Sequence, residues 1–319
     1  MKLFRFSKTQ INMFVEDCPM RWYYRYGLGI KTPPAGAMKL GSSYHETAAK
    51  NYKQKAKSLK DLPLDEMTAY FATSWEKGLE QEDVLFEEGE TPDGLKDQGV
   101  ELVKAFRKQI APSVTPASAQ NVEEDIRLLM FKPVDPQAAP KIYPLPADYR
   151  DAGTEAQAIL ERNEHDWSYL LDATIDITDK DAIIRENKTA ARSPSQDDAD
   201  KLLDLTTYAL AYRLANKKAE AGVAMDVAVK TATPKGLILT SQRSREQIRA
   251  HLNRIGMMVK AIDQEIFIPH TNWWGCSKKF CGYWDRCDFG GKHRVAVDMG
   301  ANLTKQLEES IAKTETNAD

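Results

Sequence analysis

The sequence predicts an α/β fold in which a sheet is flanked by helices, and three observations carry that expectation. Residues 168–178 alternate, with Leu171, Ala173, Ile175 and Ile177 on one side and Asp172, Thr174, Asp176 and Thr178 on the other. That is the period of a strand with one buried face. The tripeptide Asp179-Lys180-Asp181 is a tight turn, and residues 182–189 form the returning strand. Long segments with apolar residues at helical spacing stand before and after this hairpin.

The elements follow in order. Residues 7–26 form a helix capped by Ser7, with Ile11, Phe14, Val15, Cys18 and Trp22 on one face. Gly27, Gly29 and the Pro33-Pro34-Ala35-Gly36 stretch interrupt it. A second helix opens at Gly41-Ser42-Ser43, where Ser43 and Glu46 have capping-box spacing, and runs to about Lys57. Helices over 65–82 and 94–111 make a helical insertion spanning about 58–121. A strand over 122–130 precedes an irregular Pro-rich loop at about 132–151 and a short helix at 152–163. After the hairpin come a helix at 197–217, strands at 223–231 and 236–240, and a helix at 244–265 capped by Ser244. A polar tail, 303–319, ends the chain.

The chain has 319 residues, 42% hydrophobic and 29% charged. That is enough apolar material for one domain over 1–302 with insertions. The net charge of −3 rules out a general basic field, so any nucleic-acid contact must come from a local patch. No apolar run approaches the roughly 20 residues of a membrane helix. The first residues carry no signal-peptide pattern, so a cytoplasmic setting is expected. In that setting the four cysteines serve better as metal ligands than as disulfides.

Asp176 and Glu186 stand ten residues apart around the turn. In a hairpin centred on residue 181 they face each other, with Cα atoms about 4.5–5.5 Å apart. Two such carboxylates repel unless a cation lies between them, and their oxygens suit Mg²⁺ or Mn²⁺. Lys188, two residues beyond Glu186, shares its face. By spacing alone, a solvated hairpin with scattered charges is the more usual account. Ile184 falls on the face of Glu186 and Lys188, which implies a central strand covered on both sides.

Leu171-Asp172-Ala173-Thr174-Ile175-Asp176 followed by Ile183-Ile184-Arg185-Glu186-Asn187-Lys188-Thr189 resembles the core motif of PD-(D/E)XK nucleases. The likeness is to the RecB-like branch, with its CRISPR-associated and phage exonucleases. It implies a restriction-endonuclease-like core with a central mixed sheet. It also implies catalytic roles for Asp176, Glu186 and Lys188, with Asp176, Glu186 and the backbone carbonyl of Asn187 on a Mg²⁺ or Mn²⁺ ion. Gly41-Ser42-Ser43-Tyr44-His45-Glu46 is similar to the helix start that carries a further metal ligand in exonuclease-type members, here His45. By itself a lone His is more often structural. Tyr208 matches a Gln-x-x-x-Tyr pattern of the branch, but Asp204 stands where Gln is expected, leaving the substrate contact there open. The branch often places a Glu on the first strand; Glu123 and Glu124 both qualify.

Cys276, Cys281 and Cys287 cluster near one end and Cys18 stands near the other. Four thiolates suit a [4Fe–4S] cluster or tetrahedral Zn²⁺. The segment 272–289 is rich in Trp, Tyr and Phe, which keep water from a metal centre. One remote Cys in a Cys-Pro-x-Arg context plus a trio resembles the iron–sulfur staple of AddB-type and CRISPR-associated nucleases. The family's trio is often Cys-x2-Cys-x5-Cys, whereas this one is Cys-x4-Cys-x5-Cys. The resemblance therefore implies a [4Fe–4S] cluster, with Zn²⁺ second.

Lys31, Lys39, Lys188, Arg192, Lys278, Lys279, Arg286, Lys292 and Arg294 are phosphate-contact candidates and equally a solvated surface. Trp22, Tyr23 and Tyr26 can stack bases, but half core and half cluster cover is the expected role. The expectation as a whole is a DNA exonuclease acting on single strands or ends, in recombination, repair or phage or CRISPR DNA processing, with a recombination or helicase partner and no membrane. The alternative is a non-catalytic DNA-binding or assembly subunit that keeps the fold and the cluster.

Overall fold

The computed structural model describes residues 4–131, 141–145 and 168–290. These form two compact units, one of residues up to Thr9 together with Pro33–Ile255, the other of Gln10–Thr32 together with residues from Gly256 on.

The first unit is built on a mixed seven-stranded sheet. Its strands are β1 (Phe4–Ser7), β2 (Val122–Phe131), β3 (Lys141–Leu145), β4 (Ser168–Thr178), β5 (Ile183–Ala190), β6 (Gly222–Val229) and β7 (Lys235–Ser241). The order is β3-β2-β4-β5-β6-β7, with β1 alongside β4. β1 pairs with β4 in parallel, as does β5 with β6, and the other pairs are antiparallel. Over the described residues of both units the α-helices are α1 (Lys8–Asn12), α2 (Pro19–Trp22), α3 (Gly36–Ser58), α4 (Leu64–Gln81), α5 (Pro92–Gln109), α6 (Gln196–Lys201), α7 (Leu203–Asn216) and α8 (Arg245–Asp263). Among the described residues, no helix is long and apolar enough to cross a membrane.

α4 and α5 lie where helices over 65–82 and 94–111 are expected, and α3 packs with them. Tyr44, Tyr52, Phe71, Trp75, Leu102 and Phe106 are fully buried in one cluster that also takes in Ile177 and Ala228 of the sheet. Phe106 meets Tyr44 and Tyr52 edge-on at 5.7 and 5.5 Å, the arrangement that ring quadrupoles favour. A Cβ at Gly99 would lie 1.9 Å from the Phe71 ring, so only glycine lets α4 and α5 approach this closely.

Four expectations need correction. The helix over 7–26 is broken. Ser7 belongs to β1 instead of capping a helix, and Cys18 is extended (φ −159°, ψ 121°), as a residue before proline prefers. α3 begins at Gly36, so Ser43 is no N-cap and His45 lies in the third turn. Gly41, expected at the helix opening, is instead an interior position of α3. Part of the Pro-rich loop is strand β3, which lies at the sheet's edge, where Pro144 costs no ladder bond on its open side. The helix over 197–217 breaks at Leu202, because Arg243 Nη2 donates to the carbonyls of Ala199 (2.8 Å) and Leu202 (3.1 Å) and so ends α6. The predicted helix at 152–163, the rest of the loop, the tail, Lys292 and Arg294 lie outside the described residues.

In the second unit Trp22 stacks on Phe267 at 5.9 Å and Tyr23 on the same ring at 4.5 Å. These aromatics therefore fill a core and are not open platforms for bases.

Candidate functional site

The sheet's register places the acids. β4 and β5 pair only as Ile177↔Arg185 and Thr178↔Ile184. The next step along both strands is Asp176 facing Glu186, as a hairpin centred on 181 requires, and there the ladder stops. On the other side of β4, Val122↔Ile177 and Glu124↔Ile175 bracket Glu123, which lies across from Asp176. Glu123, Asp176 and Glu186 thus stand in line on three adjacent strands. Glu123 has φ +56°, a conformation non-glycine residues rarely adopt and one that re-aims a side chain. Glu124 instead accepts from Asn121 Nδ2 at 2.8 Å.

β5 is buried on both faces. Ile184, Arg185, Glu186 and Asn187 are all buried, which accounts for the imperfect alternation. Arg185 points away from the acids, with Nε 2.9 Å from Asp179 Oδ2 and Nη1 3.1 Å from Asp226 Oδ1. Asp179 also accepts the backbone N–H groups of Asp181 and Ile183 and thereby closes the turn. Burial pushes the Asp226 carboxyl up to about 6, with Arg185 opposing.

On the acid side the contacts form a closed set. Asp176 Oδ2 accepts the Asn187 backbone N–H at 2.8 Å and lies 3.3 Å from His45 Nδ1. Asp176 Oδ1 accepts from the Tyr208 hydroxyl at 3.2 Å. Lys188 Nζ lies 2.9 Å from Glu186 Oε1 and 2.6 Å from Asp204 Oδ2. Asp204 and Tyr208 are one helical turn apart on α7 and so share a face. Asp204 therefore takes up the lysine's charge at the place where the family pattern has Gln.

Lys8 is a cation the sequence did not reveal. β1 ends at Ser7↔Asp172, part-way along β4, and the next residue enters the gap between β4 and β5. Lys8 Nζ donates to Glu186 Oε2 at 3.0 Å, to Oε1 at 3.1 Å and to the Tyr208 hydroxyl at 2.5 Å. It also lies 3.6 Å from Asp204 Oδ1.

The titration shifts express the same field. Burial alone would raise the Asp176 carboxyl, but His45, Lys8 and the Asn187 N–H outweigh it and hold it below the usual range. Burial would lower the His45 imidazole, and Asp176 raises it on balance. Lys8 and Lys188 would also be lowered by burial, yet Glu186 and Asp204 keep both raised and cationic. Burial pushes Glu123 up to about 7, and Asp176 adds to the effect.

Among the described residues, no three His, Cys, Asp or Glu side chains are drawn together as tightly as a bound metal ion requires. In the acid cluster, the two ammonium groups take the positive position. The donor chemistry nevertheless fits a hard divalent ion, since carboxylates converge there and an imidazole stands beside them.

In the second unit Cys18, Cys276, Cys281 and Cys287 line one cavity, walled by Met20, Tyr24, Trp273, Trp284 and Phe289. None of the four is in a disulfide. The trio sits in tight turns, with the Cys281 N–H bonded to Ser277 O at 2.9 Å and the Cys287 N–H to Tyr283 O at 2.9 Å. The His270 N–H donates to Cys18 Sγ at 3.3 Å. Burial pushes the Cys281 thiol up, and Cys18 and Cys276 add to it. Four sulfur donors in an apolar enclosure fit a thiolate-bound metal or cluster.

Of the cationic candidates, Lys39 pairs with Glu82 at 2.8 Å, and Lys188 belongs to the acid cluster.

The sequence profile of the PD-(D/E)XK nuclease superfamily matches residues 5–288. No curated protein sequence matches the chain. Among solved structures, a protein from Eubacterium rectale described as a "Putative exonuclease" aligns over 82% of each chain, at 9% identity and a TM-score of 0.46. The structure of SSO0001 aligns over 90% of this chain and 87% of the other, at 11% identity and a TM-score of 0.31. The profile match spans most of the sequence, and the chain belongs to the PD-(D/E)XK nuclease superfamily.

Proposed function

We propose that this PD-(D/E)XK nuclease is a Mg²⁺- or Mn²⁺-dependent deoxyribonuclease of the RecB-like branch that acts on single strands or DNA ends. The observation that carries the reading is the alignment of Glu123, Asp176 and Glu186 across three strands, with His45 and Lys188 beside them. Asp176, Glu186, His45 and the Asn187 carbonyl hold the metal in this reading, and Glu123 is added to them. A divalent ion there supplies stabilisation of the charge that develops on the phosphate oxygens.

The chain's own groups have distinct tasks. Lys188 is held cationic by Glu186 and Asp204, so it donates hydrogen bonds to a water or a phosphate oxygen and does not abstract a proton. Tyr208 fixes one oxygen of Asp176 and the Asn187 N–H fixes the other. That preorganisation removes a reorganisation cost from the reaction.

The four cysteines hold a [4Fe–4S] cluster in this reading, with Zn²⁺ second. A coloured protein with visible charge-transfer absorption that bleaches on oxidation selects iron.

The test of the enzyme is incubation of end-labelled single- and double-stranded DNA with Mn²⁺, beside Glu186→Ala and Lys188→Ala. Wild type should cleave, and Glu186→Ala should lose on the order of 10²–10³ in rate. Equal rates in the two proteins reject the site. DNA binding without cleavage by wild type makes the chain a non-catalytic binding subunit.

A further inference from the structure

A groove of about 650 Å³ opens beside the acid cluster, lined by His45, Glu46, Ala49, Lys50, Lys53, Gln54 and Lys57 of α3, with Tyr70 of α4 and Glu123. Lys50, Lys53 and Lys57 recur at i, i+3 and i+7 and so share one face of α3. Lys53 and Lys57 are exposed, and Lys50 is half-buried with its ammonium 4.1 Å from the centre of the Tyr70 ring.

Acids border this row, and among the described residues the one ion pair they make with it is to Lys50. Glu46 accepts from the Ser74 hydroxyl at 2.6 Å, and Glu66 reaches Lys50 only at 3.9 Å. Glu123 stands at the inner end, in line with Asp176. From His45 to Lys57 the helix rises about 18 Å, roughly five nucleotides at the ~3.4 Å per phosphate of a stacked strand.

We propose that this groove is the lane for the single-stranded part of a polynucleotide substrate, with Lys50, Lys53 and Lys57 on its phosphates and Tyr70 under a base. The proposal rests on the nuclease reading of the acid cluster, from which the lane leads. A single row of cations tracks one backbone, and an aromatic face is useful only to a base freed from its partner. A strand lying in the lane ends at His45 and Asp176, so the lane also aligns the scissile phosphate with the acids.

The experiment measures binding of fluorescein-labelled oligo-dT of twelve and of three nucleotides, by anisotropy in EDTA across a salt series. Wild type is compared with the triple variant Lys50→Gln/Lys53→Gln/Lys57→Gln and with Tyr70→Ala and Tyr70→Phe. The triple variant should bind the twelve-mer on the order of tenfold more weakly. Its slope of log affinity against log salt should fall by about 2, near 0.7 for each lost phosphate contact. Tyr70→Phe should bind as wild type does, and Tyr70→Ala more weakly. An unchanged slope in the triple variant overturns the lane.

Cleavage with Mn²⁺ separates the two readings. Cleavage by wild type with unaltered binding in the triple variant removes the lane and leaves the nuclease. A lysine-dependent slope in a wild type that never cleaves removes the nuclease and leaves a strand-binding groove.

Discussion

The acid cluster and the cysteine cavity gather polar donors by different means. Asp176, Glu186 and Glu123 are placed by strand register, so the backbone ladder itself brings them into line. Lys8 and Lys188 then neutralise them within the protein. Three of the cysteines sit in short turns with little regular structure around them, and Cys18, far from them in sequence, is an extended residue between helical segments. A site written into a ladder keeps its arrangement through the backbone. A site assembled from turns gains its order from whatever its donors bind.

The largest expected effect tests that difference directly. Binding at a structural thiolate site is worth on the order of 10 kcal/mol. With a cluster or Zn²⁺ on the four cysteines, as proposed, Cys281→Ser or chelation should open residues 10–32 and 256–290 to protease while the sheet unit keeps its protection. Uniform protection after either treatment breaks the contrast.

Next is the face of β5 opposite the acids. Arg185→Met leaves Asp179 and the fully buried Asp226 without their cation and should cost about 3–5 kcal/mol. Urea midpoints read that loss, while turnover per folded molecule should stay near wild type. A large fall in turnover instead would mean that the two faces of β5 are not independent.

Acid is the third lever. His251 is buried, its Nε2 lies 2.8 Å from Thr207 Oγ1, and burial with Arg254 lowers it to about 4. Its folded pKa lies below the unfolded value near 6.5, so the unfolded chain takes the proton first as pH falls. Stability present above about pH 6.5 should drain away towards pH 4, by about 3 kcal/mol in all. Urea midpoints across that range should fall less steeply in His251→Leu; an identical slope removes His251 as the cause.

The smallest effect sharpens the account of the acid cluster. Lys8→Met should lower the metal-free melting temperature, since Glu186 and Asp204 lose a counter-charge. It should also tighten Mn²⁺ binding by about tenfold, since no ammonium competes there. Calorimetry showing unchanged affinity together with an unchanged melt would leave Lys8 without this role.

The legible and illegible parts divide along physical lines. The hairpin was readable because alternation and a three-residue turn set its register locally. The insertion helices were readable because their apolar period is strong. The start of α3 was not legible because Gly41-Ser42-Ser43 reads as a helix opening, although all three lie inside the helix that begins at Gly36. The break at Leu202 needed Arg243, forty-one residues away, to take up the carbonyls. Between Glu123 and Glu124 the choice depended on a positive φ that no residue pattern announces.

By itself the sequence determined the α/β class, the facing of Asp176 and Glu186 across a bend at 181, and the grouping of Lys188 with Glu186, all consequences of short-range periodicity. Only the tertiary structure decided that Lys8 enters the cluster, that Asp204 holds Lys188, and that three lysines of α3 border a groove opening at His45. Those depend on where β1 ends along β4 and on how α3 and α7 approach the sheet, distances set by packing among residues remote in the chain.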